Sequence, residues 1–281
     1  MTSGLPPVHF ISGLPRSGST LLAGILRQNP SFHAAMTGPL GTLFGSLLNA
    51  MSPQNETALF LSLRQKRDLL RGLFEAYYRD QAGRSVIFDT NRVWTARMPA
   101  LLDLFPDAKL LCCVRNVSWV LDSLERLVRR NAFEPSSLFA SAAERATVYS
   151  RVEALAHRER LVGFAWSALK EAYYGERSDR LLLIEYDTLC RRPDETLALV
   201  YDFLGQPRFA HDFDNVDYAE PEFDRHLGTP GLHTVRRKVR FAARPTILPP
   251  DLFDKYAGLT FWRDPAGSSA FRIVAEAGQP P

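Results

Sequence analysis

The stretch Val8-His9-Phe10-Ile11-Ser12-Gly13-Leu14-Pro15-Arg16-Ser17-Gly18-Ser19-Thr20-Leu21-Leu22 constrains the fold of this chain more than any other. It reads as a short buried strand, a glycine-bounded loop and the start of a helix. The loop matches the phosphate-cradling pattern G-x-x-x-x-G-K-[ST] except at one position, where Ser19 stands in place of Lys. That Lys normally neutralises the β- and γ-phosphates of a nucleoside triphosphate, and Thr20 alone would then have to hold Mg²⁺. A ligand with one 5′-phosphoryl group and no γ-phosphate does not need it. The backbone N–H groups from Arg16 to Thr20 and the helix dipole would still bind an anion. Arg16 adds a forked, permanently charged donor inside the loop.

The order of elements extends the α/β reading. Strands are expected at 8–12, 31–36, 85–89, 109–114 and 180–186. Helices are expected at 19–27, 40–50, 61–79, 96–105, 117–131, most of 148–174, and 193–204. The strand 109–114 is a near-continuous apolar run, as buried parallel strands are. This β-then-α alternation predicts a P-loop-type parallel sheet flanked by helices on both faces. Residues 206–250 read as a polar region bearing Pro and Gly. One domain is expected over 1–281, with a core over 8–262 and a loose tail over 266–281.

Composition narrows the class. Of 281 residues, 46% are hydrophobic and 23% charged, ordinary for a soluble globular protein. The net charge of +3 is too mild to argue for nucleic acid, none is expected as a partner, and the charge suits a site that attracts anions. No apolar run reaches the length of a membrane span. Residues 1–7 carry no leader pattern, so a cytoplasmic location is expected. Cys112, Cys113 and Cys190 show no metal-ligand spacing. The adjacent pair should point to opposite faces of its strand as small hydrophobes.

Ligands in such sheets bind at the carboxyl ends of the strands. The residues expected there are Arg16–Thr20, then Asp89-Thr90-Asn91-Arg92, then Arg115 with Ser123 on the following helix, then Glu185-Tyr186. An Arg at a strand exit and a hydroxyl on the next helix can grip a second phosphate. Two phosphate sites without the Lys point to a nucleotide phosphorylated at two places.

This pairing resembles the sulfotransferases that use 3′-phosphoadenosine-5′-phosphosulfate (PAPS). The resemblance implies that Pro15, Arg16, Ser17, Gly18, Ser19 and Thr20 hold the 5′-phosphosulfate. It implies that Arg115 and Ser123 hold the 3′-phosphate. The segment Glu185-Tyr186-Asp187-Thr188-Leu189, with Pro193, Leu197 and Phe203-Leu204-Gly205, is similar to a family segment whose Tyr lies near the nucleotide. The loop 228–238, with Arg236, Arg237 and Lys238, sits where many members close a basic loop over it. The Pro-Arg-Ser-Gly-Ser-Thr-Leu loop is closest to the tyrosylprotein branch and its bacterial relatives.

The chemistry implied is in-line transfer of SO₃ to an acceptor hydroxyl or amine, leaving 3′-phosphoadenosine-5′-phosphate (PAP) and requiring no metal. Arg16 is expected to stabilise the bridging oxygen as its bond to sulfur breaks. The general base does not carry over. The tyrosylprotein Glu and the cytosolic enzymes' His have no counterpart in residues 33–39 or 89–92. Asp89 is the first candidate, with His33 and His233 the others, and Arg92 or Arg97 is expected as a second cation. A P-loop small-metabolite kinase, with Asp89 holding Mg²⁺, and a non-catalytic PAP binder are the alternatives. The acceptor pocket is expected from residues 36–80 and 131–160. The apolar content of 36–51 favours an aromatic or aliphatic acceptor over a sugar polymer. Peptidyl tyrosine, a phenolic metabolite and a lipid-like alcohol stay open, as does a homodimer.

Overall fold

The computed structural model describes residues 4–134 and 136–275. Its centre is a parallel sheet. Among the described residues it contains β1 (Val8–Gly13), β2 (Phe32–Ala34), β3 (Val86–Thr90), β4 (Leu110–Val114), β5 (Leu181–Glu185) and β6 (Phe271–Ile273). The order across the sheet is β2-β3-β1-β4-β5-β6, with every pair parallel. The chain leaves β1 towards one edge and leaves β4 towards the other. The switch point therefore lies between β1 and β4, and a crevice opens beyond their carboxyl ends.

The central strands are buried on both faces, which explains their continuous apolar sequences. Their side chains alternate between two cores. Phe10, Ile87, Leu110, Cys112, Val114, Leu181 and Leu183 pack on one face. Ile11, Val86, Phe88, Leu111, Cys113, Leu182 and Ile184 pack on the other. Cys112 and Cys113 thus part as their adjacency requires.

Two departures from the sequence pattern have local causes. The long helix expected over 148–174 is two helices, Val148–Ala156 and Leu161–Tyr174. The chain folds back between them, and Gly163 meets the carbonyls of Ala156 and His157. A Cβ there would lie 2.4 and 2.3 Å from those oxygens. The expected tail over 266–281 also departs. Phe271–Ile273 pairs with Leu182–Ile184, and Ile273 is buried. The Glu185 carboxylate fixes this end by accepting from the Arg263 guanidinium at 2.7 Å and from Ala275 N at 3.0 Å. Residues 276–281 lie outside the described residues.

The region 206–250 is anchored chain rather than free loop. Segment 213–218 packs on the helix Ser19–Leu26, where Gly24 admits Val216 and Tyr218; a Cβ there would lie 3.1 Å from Val216 Cγ1 and 3.2 Å from Tyr218 Cβ. Segment 235–239 then pairs with 213–218 through Val235 N to Tyr218 O, Val216 N to Arg237 O and Val239 N to Phe213 O. Further on, the Arg191 guanidinium lies 3.7 Å over the Phe241 ring. The far end is gripped by Asp122, a fully buried carboxylate on the helix Val117–Arg130. Asp122 accepts from Arg126 Nε (2.9 Å), Arg244 Nη2 (2.7 Å), Thr246 Oγ1 (3.0 Å) and Ile247 N (2.8 Å). Removing one partner of a buried charge cluster strands the rest. Asp122→Asn should therefore loosen residues 236–247, read as faster limited proteolysis within that segment. Unchanged cleavage would show that the strand-like pairing holds it alone.

Candidate active site

The loop after β1 is shaped by a close approach to β4. Gly13 has φ 111°, and a Cβ on it would lie 2.1 Å from the carbonyl oxygen of Cys113. Leu14 N donates to that same carbonyl at 2.9 Å. The Ser17 hydroxyl, fully buried, lies between the carbonyls of Leu14 and Cys113, 2.8 Å from the latter. Its side chain is thus committed to holding the loop, leaving Ser17 only its N–H for a ligand. Gly18, at φ 101°, begins the helix Ser19–Leu26 without any side-chain cap. A Cβ on Gly18 would lie 2.8 Å from Tyr186 Cδ2, so the tyrosine ring rests directly on the loop. The first N–H groups of this helix have no intrahelical acceptor and face the crevice.

The cavity at the switch point has a volume of about 410 Å³. Pro15, Arg16, Gly18, Ser19 and Thr20 line it, with Arg115, Ser123 and Tyr186. Arg16 takes a left-handed backbone conformation, φ 56°. Its Nε donates to Ser123 Oγ at 3.1 Å, and its Nη1 donates to the Leu232 carbonyl. Burial pulls the Arg16 pKa down, with the positive charges of Arg115 and Arg244 acting in the same direction. The Arg115 guanidinium stacks 4.4 Å over the Tyr186 ring, with Asp187 3.8 Å away. Arg115 Nε is buried and makes no hydrogen bond. Burial raises the Tyr186 hydroxyl to about 12, so it stays neutral.

The residues 236–244 form one wall. Arg236, Lys238, Arg240, Ala242 and Arg244 recur at every second position along it. Arg237 is a correction to the sequence reading: it falls out of this register and is exposed away from the cavity, while its carbonyl pairs with Val216. Arg240 and Arg244 were not singled out from the sequence; continuing the alternation from Arg236 would have found them. In all, six arginines (Arg16, Arg92, Arg115, Arg236, Arg240, Arg244) and Lys238 line the cavity, and no Asp or Glu does among the described residues. Arg92 is on the wall, whereas Arg97 is exposed elsewhere.

The three candidate bases separate. Asp89 does not reach the cavity. Its carboxylate is buried, accepting from the Tyr78 hydroxyl at 2.5 Å and from Trp94 Nε1 at 2.7 Å. Burial lifts its pKa to about 6 against those hydrogen bonds. His33 lies on β2, two strands from β1, with its ring 5.4 Å from that of Tyr78. It is not on the cavity wall either. His233 is. Its Nδ1 is 2.6 Å from Asp224 Oδ1, and its backbone N–H donates to Asp224 Oδ2 at 2.8 Å. Asp224 is itself buried. The carboxylate fixes the ring so that Nε2 has no hydrogen-bond partner among the described residues. Burial lowers the His233 pKa, opposed by Asp224 and reinforced by the charges of Arg92 and Arg16. The Asp224 partner lies nine positions before His233, on the short helix Pro221–His226, with no motif to announce it.

The chain is similar to known proteins in sequence and in fold. A sulfotransferase family model matches residues 7–211. The nodulation protein NoeE of Sinorhizobium fredii (strain NBRC 101917 / NGR234) is 27% identical over 234 residues, 78% of this chain and 54% of that protein. The chain thus spans about half the length of this curated relative. The sulfotransferase domain from the curacin biosynthetic pathway superposes with a TM-score of 0.51 at 18% identity, covering 91% of this chain and 92% of that one. The sulfotransferase domain of the Synechococcus PCC 7002 olefin synthase gives 0.45 at 22% identity, covering 90% and 95%. With a parallel sheet, an uncapped helix start at its switch point and a family match across most of its length, the chain belongs to the sulfotransferase family.

Proposed function

We propose that this chain moves the sulfuryl group of PAPS to an acceptor hydroxyl or amine. The observation that carries this reading is the cavity wall, with its six arginines, Lys238 and no carboxylate among the described residues. Such a wall fits a ligand with several separated anionic groups. Arg115, Ser123 and the uncapped helix start share this wall and offer donors to an anionic group. In this reading the loop amides of Arg16 to Thr20 take the 5′-phosphosulfate. Arg115 and Ser123 take the 3′-phosphate, Tyr186 packs against the nucleotide, and Arg236 and Lys238 cover it.

The transfer needs one proton acceptor. His233 Nε2 takes the acceptor's proton as the acceptor oxygen bonds to sulfur. The bond from sulfur to the bridging oxygen breaks, and its electron pair stays on the departing PAP. Arg16 and Arg92 stabilise the charge that develops there, positioning and electrostatics supplying most of the acceleration. Asp224 orients the His233 ring and stabilises the imidazolium.

Calorimetry should show PAP binding more tightly than Mg-ATP or adenosine 5′-phosphosulfate, the last lacking a 3′-phosphate. Preferred binding of Mg-ATP would restore the kinase alternative. Arg115→Ala should weaken PAP by about 2 kcal/mol, roughly thirtyfold, the scale of a lost charge-assisted contact. His233→Gln should keep PAP affinity and lose transfer; retained turnover would remove it from the mechanism. Because His233 is shifted below its ordinary 6.5, the rise of kcat/KM with pH should have its midpoint below that value. Removing the carboxylate in Asp224→Asn destabilises the imidazolium, so the rise should move to still lower pH while the rate falls. Asp89→Asn should instead spare the rate within a few-fold. It should lower Tm, since an amide cannot accept both hydrogen bonds and leaving a buried donor unpaired costs about 1–3 kcal/mol.

A further inference from the structure

We infer that the turn joining the helices Leu40–Ala50 and Leu63–Tyr77 is a self-complementary interface, through which two copies of this chain pair about a two-fold axis. None of its residues lines the cavity, so its role is independent of the group transferred there. Leu59 and Phe60 are 77% exposed and Leu63 is 64% exposed. Among the described residues only Phe133 is a more exposed large apolar side chain. Single apolar residues on a surface are ordinary, whereas three within five positions form a patch of the kind that marks an interface.

The exposure is built into the turn. Ala58 is buried and Leu61 packs against the core, which leaves Leu59, Phe60 and Leu63 turned outward. Asn55 caps the short 3₁₀ helix Glu56–Phe60 by accepting from Thr57 N at 3.2 Å, while its Nδ2 donates to Ala50 O at 2.8 Å. Ser62 and Gln65 form a reciprocal cap at the start of Leu63–Tyr77. Lys66 Nζ donates to Met51 O at 2.8 Å, tying that helix to the end of the one before. An apolar knob held this firmly loses little freedom on binding.

The surrounding charges decide the occupant. They form mixed pairs: Arg64 with Asp68 at 3.8 Å, Arg67 with Asp103 at 2.8 Å, and Arg71 with Glu75 at 3.1 Å. With Lys66 and Glu56 added, the set holds four cations and four carboxylates. Such a neutral set lacks the positive excess by which an anionic lipid surface or a polyanion is held. An apolar centre with both signs around it is instead complementary to itself. A two-fold axis lays the same patch on both subunits, so Leu59, Phe60 and Leu63 meet their counterparts. Arg64 and Asp68 stand one helical turn apart, 92% and 69% exposed, and their contact is loose, so each can pair with the opposite member on the other copy. The 11 residues of Leu40–Ala50, about 16 Å of helix, separate this turn from Met36 and Thr37 on the cavity wall, so pairing there leaves the cavity open.

The test is sedimentation velocity on the full chain from about 1 to about 100 µM, since pairing follows mass action. A species of twice the chain mass, growing with concentration, is the expected result. Phe60→Ser should weaken self-association about thirtyfold, the scale of a central anchor, with Tm unchanged because the side chain lies outside the core. Arg64→Asp and Asp68→Arg should each weaken it as well. Mixing these two variants should restore the pair as a heterodimer, since each supplies the sign that the other has lost. An ion pair working only within one chain would not be rescued across two. A chain that stays monomeric at the highest concentration overturns the inference, and its sedimentation with phosphatidylglycerol-containing vesicles would give the turn to a lipid surface instead. A dimer unaffected by Phe60→Ser overturns it too, by placing the interface elsewhere. Variants that mixing fails to restore overturn the two-fold arrangement.

Discussion

The crevice depends on one close approach, that of the end of β1 to the backbone of β4. At Gly13 there is no room for a single additional carbon, because the Cys113 carbonyl oxygen occupies that place. Both partners belong to the middle of the sheet, so neither can move aside. Leu14 N and the buried Ser17 hydroxyl fasten the same carbonyl. The loop is thereby turned so that the uncapped start of the helix Ser19–Leu26 faces the switch point between β1 and β4. Arg16 is held in a left-handed conformation and directed at Ser123. Positions this sparsely populated persist only where the surroundings impose them.

Gathering six arginines and a lysine around one cavity is costly, since like charges repel and burial adds to the cost at Arg16 and Arg244. The compensation lies one layer behind the wall. Asp122 pairs with Arg126 and Arg244, Asp187 stands near Arg115, and Asp224 holds His233. The carboxylates brace the cationic side chains from the rear and leave the face of the cavity to an incoming anion. The same bracing secures the chain that covers the site, because Asp122 also binds Thr246 and Ile247. Charge balance and closure of the site are one arrangement of bonds.

Much of this was legible in the chain. The alternation of apolar strands and amphipathic helices yields the parallel sheet, and the adjacency of Cys112 and Cys113 yields two cores. The loop, Arg115, Ser123 and Tyr186 meet as their positions after strands require. Asp89 shows where such reasoning stops. It stands at the end of β3 paired with Phe10, on the face where Tyr78 and Trp94 wait, while its neighbour Thr90 lines the cavity. A difference of one residue in a strand reverses the face. Arg237 also misses, exposed between Arg236 and Lys238 with its carbonyl taken by Val216 N. His33 lies on a strand whose place at the sheet edge, two strands from β1, depends on strand order rather than on its own residues.

The sequence by itself determined the layered α/β class and the anion-binding loop, because both rest on local periodicity and on glycines at fixed offsets. Only the tertiary structure decided which histidine stands at the cavity, which acid orients it, and which cations face the ligand. Those choices depend on the pairing of segments far apart in the chain, such as 213–218 with 235–239 and Asp122 with Arg244. Pairings of that kind are set by the packing of the whole core, and no short stretch of residues encodes them.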